Sequence, residues 1–99
     1  MYKLEIESGM AWLTEHWPGW RERIDRTRLD MGSIYWCILG QVFAEEEGEG
    51  SGFMKAMNWF QGTMDPWRCG FLVDTALNYR QLTREWLVAL EALAEGEAP

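Results

Sequence analysis

NYRQLTREWLVALEAL, residues 78–93, places large apolar side chains at Tyr79, Leu82, Trp86, Leu90 and Leu93, in steps of 3, 4, 4 and 3. That spacing returns to one side of an α-helix at every turn, so the stretch reads as an amphipathic helix with one face in a core. Asn78, followed three residues later by Gln81, is a variant of the capping box and sets the expected start of the helix. A single domain is expected over residues 1–95, with residues 96–99 as a disordered tail.

Upstream, MDPWRCGFLVD (residues 64–74) begins with an Asp-Pro turn signal and continues into a strand-like GFLV. GFMKAMNWF (residues 52–60) reads as a short helix capped by Ser51, with Phe53, Met54, Met57 and Trp59 or Phe60 inward, and Gly62 ends it. MGSIYWCILGQVFAEE (residues 31–46) is apolar around most of its circumference as a helix, the pattern of a central element, with Asp30 as its cap. Ser8 would cap GMAWLTEHW, which Pro18-Gly19 stops, and a further turn from Pro18 would carry Trp20 and Ile24. YKLEIE (residues 2–7) alternates like a strand but is short, and either pairs as one or leads into the helix. The expectation is an all-α domain of four or five short helices, with room for a minor two-stranded piece from residues 2–6 and 70–74.

Ninety-nine residues suffice for one core, burying about 65% of the surface of the unfolded chain without disulfides. Seven tryptophans make that core bulky and leave aromatics over for the surface, where they favour protein interfaces. The net charge of −7 disfavours phosphate backbones and anionic membranes. Residues 44–99 carry ten acids against four bases, and residues 1–43 six against five. Cys37, Cys69 and the single His16 are too few and too scattered for a zinc site, no apolar run reaches membrane-span length, and the first ten residues lack a signal pattern. No cofactor is expected, and the thiols read as reduced in a cytoplasm.

PGWRERIDRTRLDMGSIYWCILGQVF (residues 18–43), Gly70-Phe71 and NYRQLTREW (residues 78–86) together resemble a family of small actinobacteriophage and actinobacterial proteins of unknown function. The shared pattern falls on Pro18, Gly19 and Trp20, on Arg23, Ile24 and Asp25, on Leu29, Asp30 and Met31, and on Cys37, Leu39, Gly40 and Gln41. It continues on Gly70 and Phe71 and closes on Tyr79, Leu82, Thr83 and Trp86. After Gln41 this chain departs from it, with Phe43 and a glutamate run in place of a Gly-rich turn. The resemblance implies a phage accessory protein at work in a bacterial cytoplasm, and brings no catalytic residue or cofactor.

Candidate chemistry is sparse. Arg21, Arg23, Arg26 and Arg28 suggest a phosphate contact, but Glu22, Asp25 and Asp30 are interleaved with them. The segment therefore reads first as an elbow braced by Arg23 and Asp25, with Arg26 and Arg28 free for a protein partner and direct nucleic-acid binding disfavoured. Glu45, Glu46, Glu47 and Glu49 lack the alternating ligands of a calcium loop; they read as a solvated loop, or as an acidic decoy of DNA. Cys37, amid Ile34, Ile38 and Val42, reads as a core thiol, and no catalytic triad can be assembled around one histidine.

The surplus aromatics are the more informative signal. Trp67 with Arg68 on the Asp-Pro turn, and Trp59 on the far side of its helix, are candidate partner anchors, because Trp and Arg dominate binding hot spots. The expectation is a non-catalytic protein that binds and modulates a host bacterial protein. An acidic decoy for a DNA-binding host protein, or a homodimer, is the alternative.

Overall fold

Trp86 stands at the centre of the fold with no solvent exposure, packed against rings from two other parts of the chain. Phe71 stacks on it at 5.8 Å between centroids, and Trp20 meets it edge-on at 6.4 Å. The computed structural model describes residues 2–44, 52–59 and 64–96, and of Trp59 the backbone. Within them run α1 (Lys3–His16), a 3₁₀ turn (Trp20–Arg23), α2 (Ile38–Val42), α3 (Gly52–Trp59) and α4 (Ala76–Gly96). The domain is all-α, with no strand among the described residues.

α4 has the periodicity expected of it: Leu82, Trp86 and Leu90 are buried, and Tyr79 and Leu93 pack against the same core. Its cap lies three residues earlier than Asn78. The Thr75 hydroxyl accepts the Asn78 N–H at 3.1 Å, the Asn78 amide donates back to Asp74, and Gln81 donates to Glu85 instead of to the cap. At its other end α4 runs through Gly96, and residues 97–99 of the expected tail lie outside the described set.

The amino-terminal segment is helical from Lys3, not strand-like, so the two-stranded piece does not form. Alternating YKLEIE placed Tyr2, Leu4 and Ile6 on one face, yet Leu4 is 75% exposed and only Ile6 is buried. The helix continues through Ser8 and Gly9, and a close approach accounts for the glycine: a Cβ on Gly9 would stand 2.1 Å from the Cys69 carbonyl oxygen. Tyr2 N–H donates to Glu85 at 2.7 Å and fastens the start of α1 to α4. Burial raises the Glu85 carboxyl, but hydrogen bonds from Tyr2 and Gln81 outweigh it and hold the group below its ordinary value.

The largest departure from expectation is the central segment. Instead of one helix from Met31, residues 31–37 form a looped turn, and only Ile38–Val42 are helical. Gly32 and Ser33 are poor helix formers, and the Ser33 hydroxyl accepts the N–H groups of both Tyr35 and Trp36 at 3.1 Å, an arrangement that competes with helical bonding. Cys37, not Asp30, caps α2, its sulfur accepting the Gly40 N–H at 3.2 Å. Asp30 instead turns its carboxylate to the N–H of Gly32.

In α3, Ala56 is buried and Phe53 and Met57 are half-buried, whereas Met54, expected inward, is 52% exposed. Ser51, Phe60 and Gly62 lie outside the described residues, as do Glu45, Glu46, Glu47 and Glu49.

The elbow between the 3₁₀ turn and α2 is braced differently from the expected Arg23–Asp25 pair. Arg23 donates to the Val42 carbonyl at 3.0 Å. The Gln41 amide oxygen accepts the Asp25 N–H at 2.6 Å, while its NH₂ reaches the carbonyls of Asp25 at 3.3 Å and Trp36 at 3.0 Å. One buried side chain thus pairs with the backbone of two loops. Across the described residues every buried side-chain nitrogen and oxygen has a hydrogen-bond partner.

Candidate functional site

Loop 30–37 is closed by its own hydrogen bonds. Asp30 N–H donates to the Trp36 carbonyl at 3.2 Å, Ser33 N–H to Asp30 at 3.0 Å, and Cys37 N–H to Ser33 at 3.1 Å. Its two ends are anchored by buried Met31 and Cys37, and Met31 N–H donates to the Thr83 hydroxyl of α4 at 2.8 Å. Gly40 packs beneath, where a Cβ would come within 2.7 Å of the carbonyl oxygens of Ile34 and Tyr35.

The consequence is an outward display of three consecutive large side chains: Ile34, Tyr35 and Trp36 are 44%, 57% and 41% exposed. A fixed backbone loses little conformational entropy on binding, and Tyr and Trp offer large contact areas with few rotatable bonds. Arg28 lies over the Trp36 ring at 5.0 Å and pairs with Asp25 at 3.7 Å, so it is a fixed flank of this loop and not the unengaged cation expected from the sequence. A hydrogen bond from the Thr27 hydroxyl holds the Asp25 carboxyl below its ordinary value, outweighing its slight desolvation, with the Thr27 N–H and Arg28 assisting.

Arg26 is exposed on another side, at the rim of a cleft of about 480 Å³ bounded by Pro18, Trp20, Ile24 and Leu90. Trp67 and Arg68 stand on the turn after Asp65. The Asp65 carboxylate accepts the Trp67 N–H at 3.0 Å, Cys69 N–H donates to the Asp65 carbonyl, and Phe71 N–H donates to that of Pro66. Trp67 is 53% exposed on this turn, and Arg68 sits 3.6 Å from Asp65 with most of its side chain in solvent. Trp59 has its backbone in α3, and its side chain lies outside the described residues. Sequence reasoning missed Ile34, Tyr35 and Trp36; Gly32-Ser33, ahead of them, was the signal that the helix starts later.

Cys37 lies in the core and Cys69 packs against it, whereas His16 is exposed. Burial pushes the Cys37 thiol up to about 11, and burial with the nearby Asp65 carboxylate raises Cys69 more modestly. His16 holds its Nδ1 2.9 Å from the Trp12 carbonyl and stacks on the Trp12 ring. At pH 8 an alkylating reagent should therefore modify Cys69 at least tenfold faster than Cys37, with Cys37 reacting fully only on unfolding; peptide mass spectrometry reads both rates. No group of three metal-ligating side chains occurs among the described residues, and none of their helices is long and apolar enough to cross a membrane.

The chain matches no family model, no curated protein and no solved structure. Most residues of the motif pattern named in the sequence have structural tasks here. Gly19 and Gly70 adopt positive φ, Trp20, Leu29, Met31, Leu39, Phe71, Leu82 and Trp86 are buried, and Cys37, Gly40, Gln41 and Thr83 hold the loop just described. The pattern describes a scaffold, and the displayed side chains Ile34, Tyr35, Trp36, Trp67 and Arg68 lie outside it.

Proposed function

We propose that this is a non-catalytic interaction protein that binds a bacterial host protein through Ile34, Tyr35 and Trp36, flanked by Arg28. The observation that supports it is the exposure of three successive large apolar side chains on a loop whose backbone is hydrogen-bonded shut. Exposed apolar clusters on a small domain mark interaction surfaces, and Trp, Tyr and Arg are the residues most enriched where binding energy concentrates. Trp67 and Arg68 supply a second, smaller contact. The host setting, a bacterial cytoplasm entered with phage genes, rests on the resemblance of the scaffold residues.

The test is capture from an actinobacterial lysate with the wild type, with Tyr35→Ser/Trp36→Ser, and with Trp67→Ala, each confirmed folded by circular dichroism. One host protein should be retained by the wild type and lost at least tenfold by the loop variant, with a smaller loss for Trp67→Ala. Equal retention by wild type and loop variant would remove the assignment.

A further inference from the structure

α4 carries its charges in an order that does not serve the helix itself. Taking 100° per residue, Leu77, Arg84, Val88, Glu91, Ala92 and Glu95 fall within about 60° of one line on the side opposite buried Trp86. All six are exposed, Val88 to 63% and Leu77 to 73%. Bases lie toward the amino end at Arg80 and Arg84 and acids toward the carboxyl end at Glu91 and Glu95, against the polarity of the helix dipole. The like charges are also spaced at i,i+4, which disfavours an isolated helix. None of the four has an ion-pair partner among the described residues. Beside this stripe runs an apolar groove of about 440 Å³ between α1 and α4, bounded by Ile6, Met10, Val88, Ala89, Ala92 and Leu93.

We infer that this face pairs with a second copy of the chain, α4 against α4 in antiparallel sense about a two-fold axis at Val88. In that arrangement residue 88−k faces residue 88+k of the other copy. Arg84 therefore comes opposite Ala92 of the second copy, flanked by its Glu91 and Glu95, and the two-fold repeats the contact. Val88 meets its own equivalent, and the neighbouring grooves are covered together. Basic-to-acidic order along one helix is self-complementary only when the second runs the opposite way, so the charge sequence selects this occupant and this direction. This surface is separate from the Ile34–Trp36 loop, so the inference stands apart from the proposed host contact.

Sedimentation equilibrium of the full chain over micromolar to millimolar concentration, at low and high salt, tests it. The wild type should show a monomer–dimer equilibrium that weakens with salt. Arg84→Glu should weaken the dimer at least tenfold, Val88→Glu should leave a monomer, and Arg84→Glu combined with Glu91→Arg should restore association toward wild type. Circular dichroism melting verifies that each variant is folded. A wild type that stays monomeric throughout, a dimer indifferent to Arg84→Glu and Val88→Glu, or a double exchange that fails to restore association would each overturn the inference.

Discussion

Gly9→Ala should lower the free energy of unfolding by about 3 kcal/mol, the upper range for overpacking a core. The added methyl would stand 2.1 Å from the Cys69 carbonyl oxygen and 3.2 Å from the Phe71 ring. The first of these neighbours is backbone and cannot swing aside. It is held by the turn that begins at Asp65 and by Gly70, whose positive φ and carbonyl contact with the Trp86 indole at 2.7 Å fix the chain on that side. Relief requires α1 to move off the core, which also strains the Tyr2 to Glu85 bond. Gly19→Ala provides the comparison. Its φ of +87° disfavours a side chain, but nothing lies within 4 Å, so it should cost only about 1–2 kcal/mol. Chemical denaturation of both variants reads the difference.

Gln41→Leu should be comparably costly, at about 3 kcal/mol, although leucine matches the volume and suits the surroundings. The change strips the Asp25 N–H of its acceptor, at about 1–3 kcal/mol, and removes one bond each from the Asp25 and Trp36 carbonyls, which keep the N–H groups of Arg28 and Asp30, at about 0.5–1.5 kcal/mol apiece. In a domain of this size the melting temperature should fall by about 12–24 °C. An apolar replacement that left the melting temperature within a few degrees would show that the Gln41 bonds do not hold the elbow and the loop.

The contrast between α4 and the central segment shows what the sequence could convey. α4 is long, has one polar and one apolar face, and lies along the core, so its periodicity was sufficient to identify it and to select Trp86 and Leu90 as buried. In residues 31–46 the same criterion finds apolar side chains around most of the circumference and yields one central helix. Apolar composition does not separate a side chain that is buried from one displayed on a tight loop, and the separation here is made by Ser33, which captures two N–H groups, and by Gln41, which binds the loop from below. No local signal marked Gln41 as a brace; its role depends on a contact sixteen residues away with Asp25, which local spacing cannot reveal.

The arginine-rich elbow sharpened in a similar way. Counting its acids argues against a phosphate-binding patch, but the pairing of Arg23 with Asp25 followed from proximity in sequence, whereas Arg23 binds the Val42 carbonyl and the Asp25 carboxylate takes Thr27 and Arg28. Arg28 is the residue whose reading changed most, from a free cation to the flank of the Trp36 ring. The exposure of Trp67 and Arg68 was legible because an Asp-Pro turn cannot readily bury two large side chains. Tyr35 and Trp36 were not, because the helix assigned to them would have hidden them.

The most direct measurement of the central claim is an amide and indole chemical-shift map of the isotopically labelled protein titrated with the purified captured host protein. Shifts should centre on Ser33, Ile34, Tyr35 and Trp36, including the Trp36 indole N–H, with a weaker set at Trp67 and Arg68. A map in which residues 33–36 are unchanged at saturation, with the shifts confined to other surfaces, would contradict it.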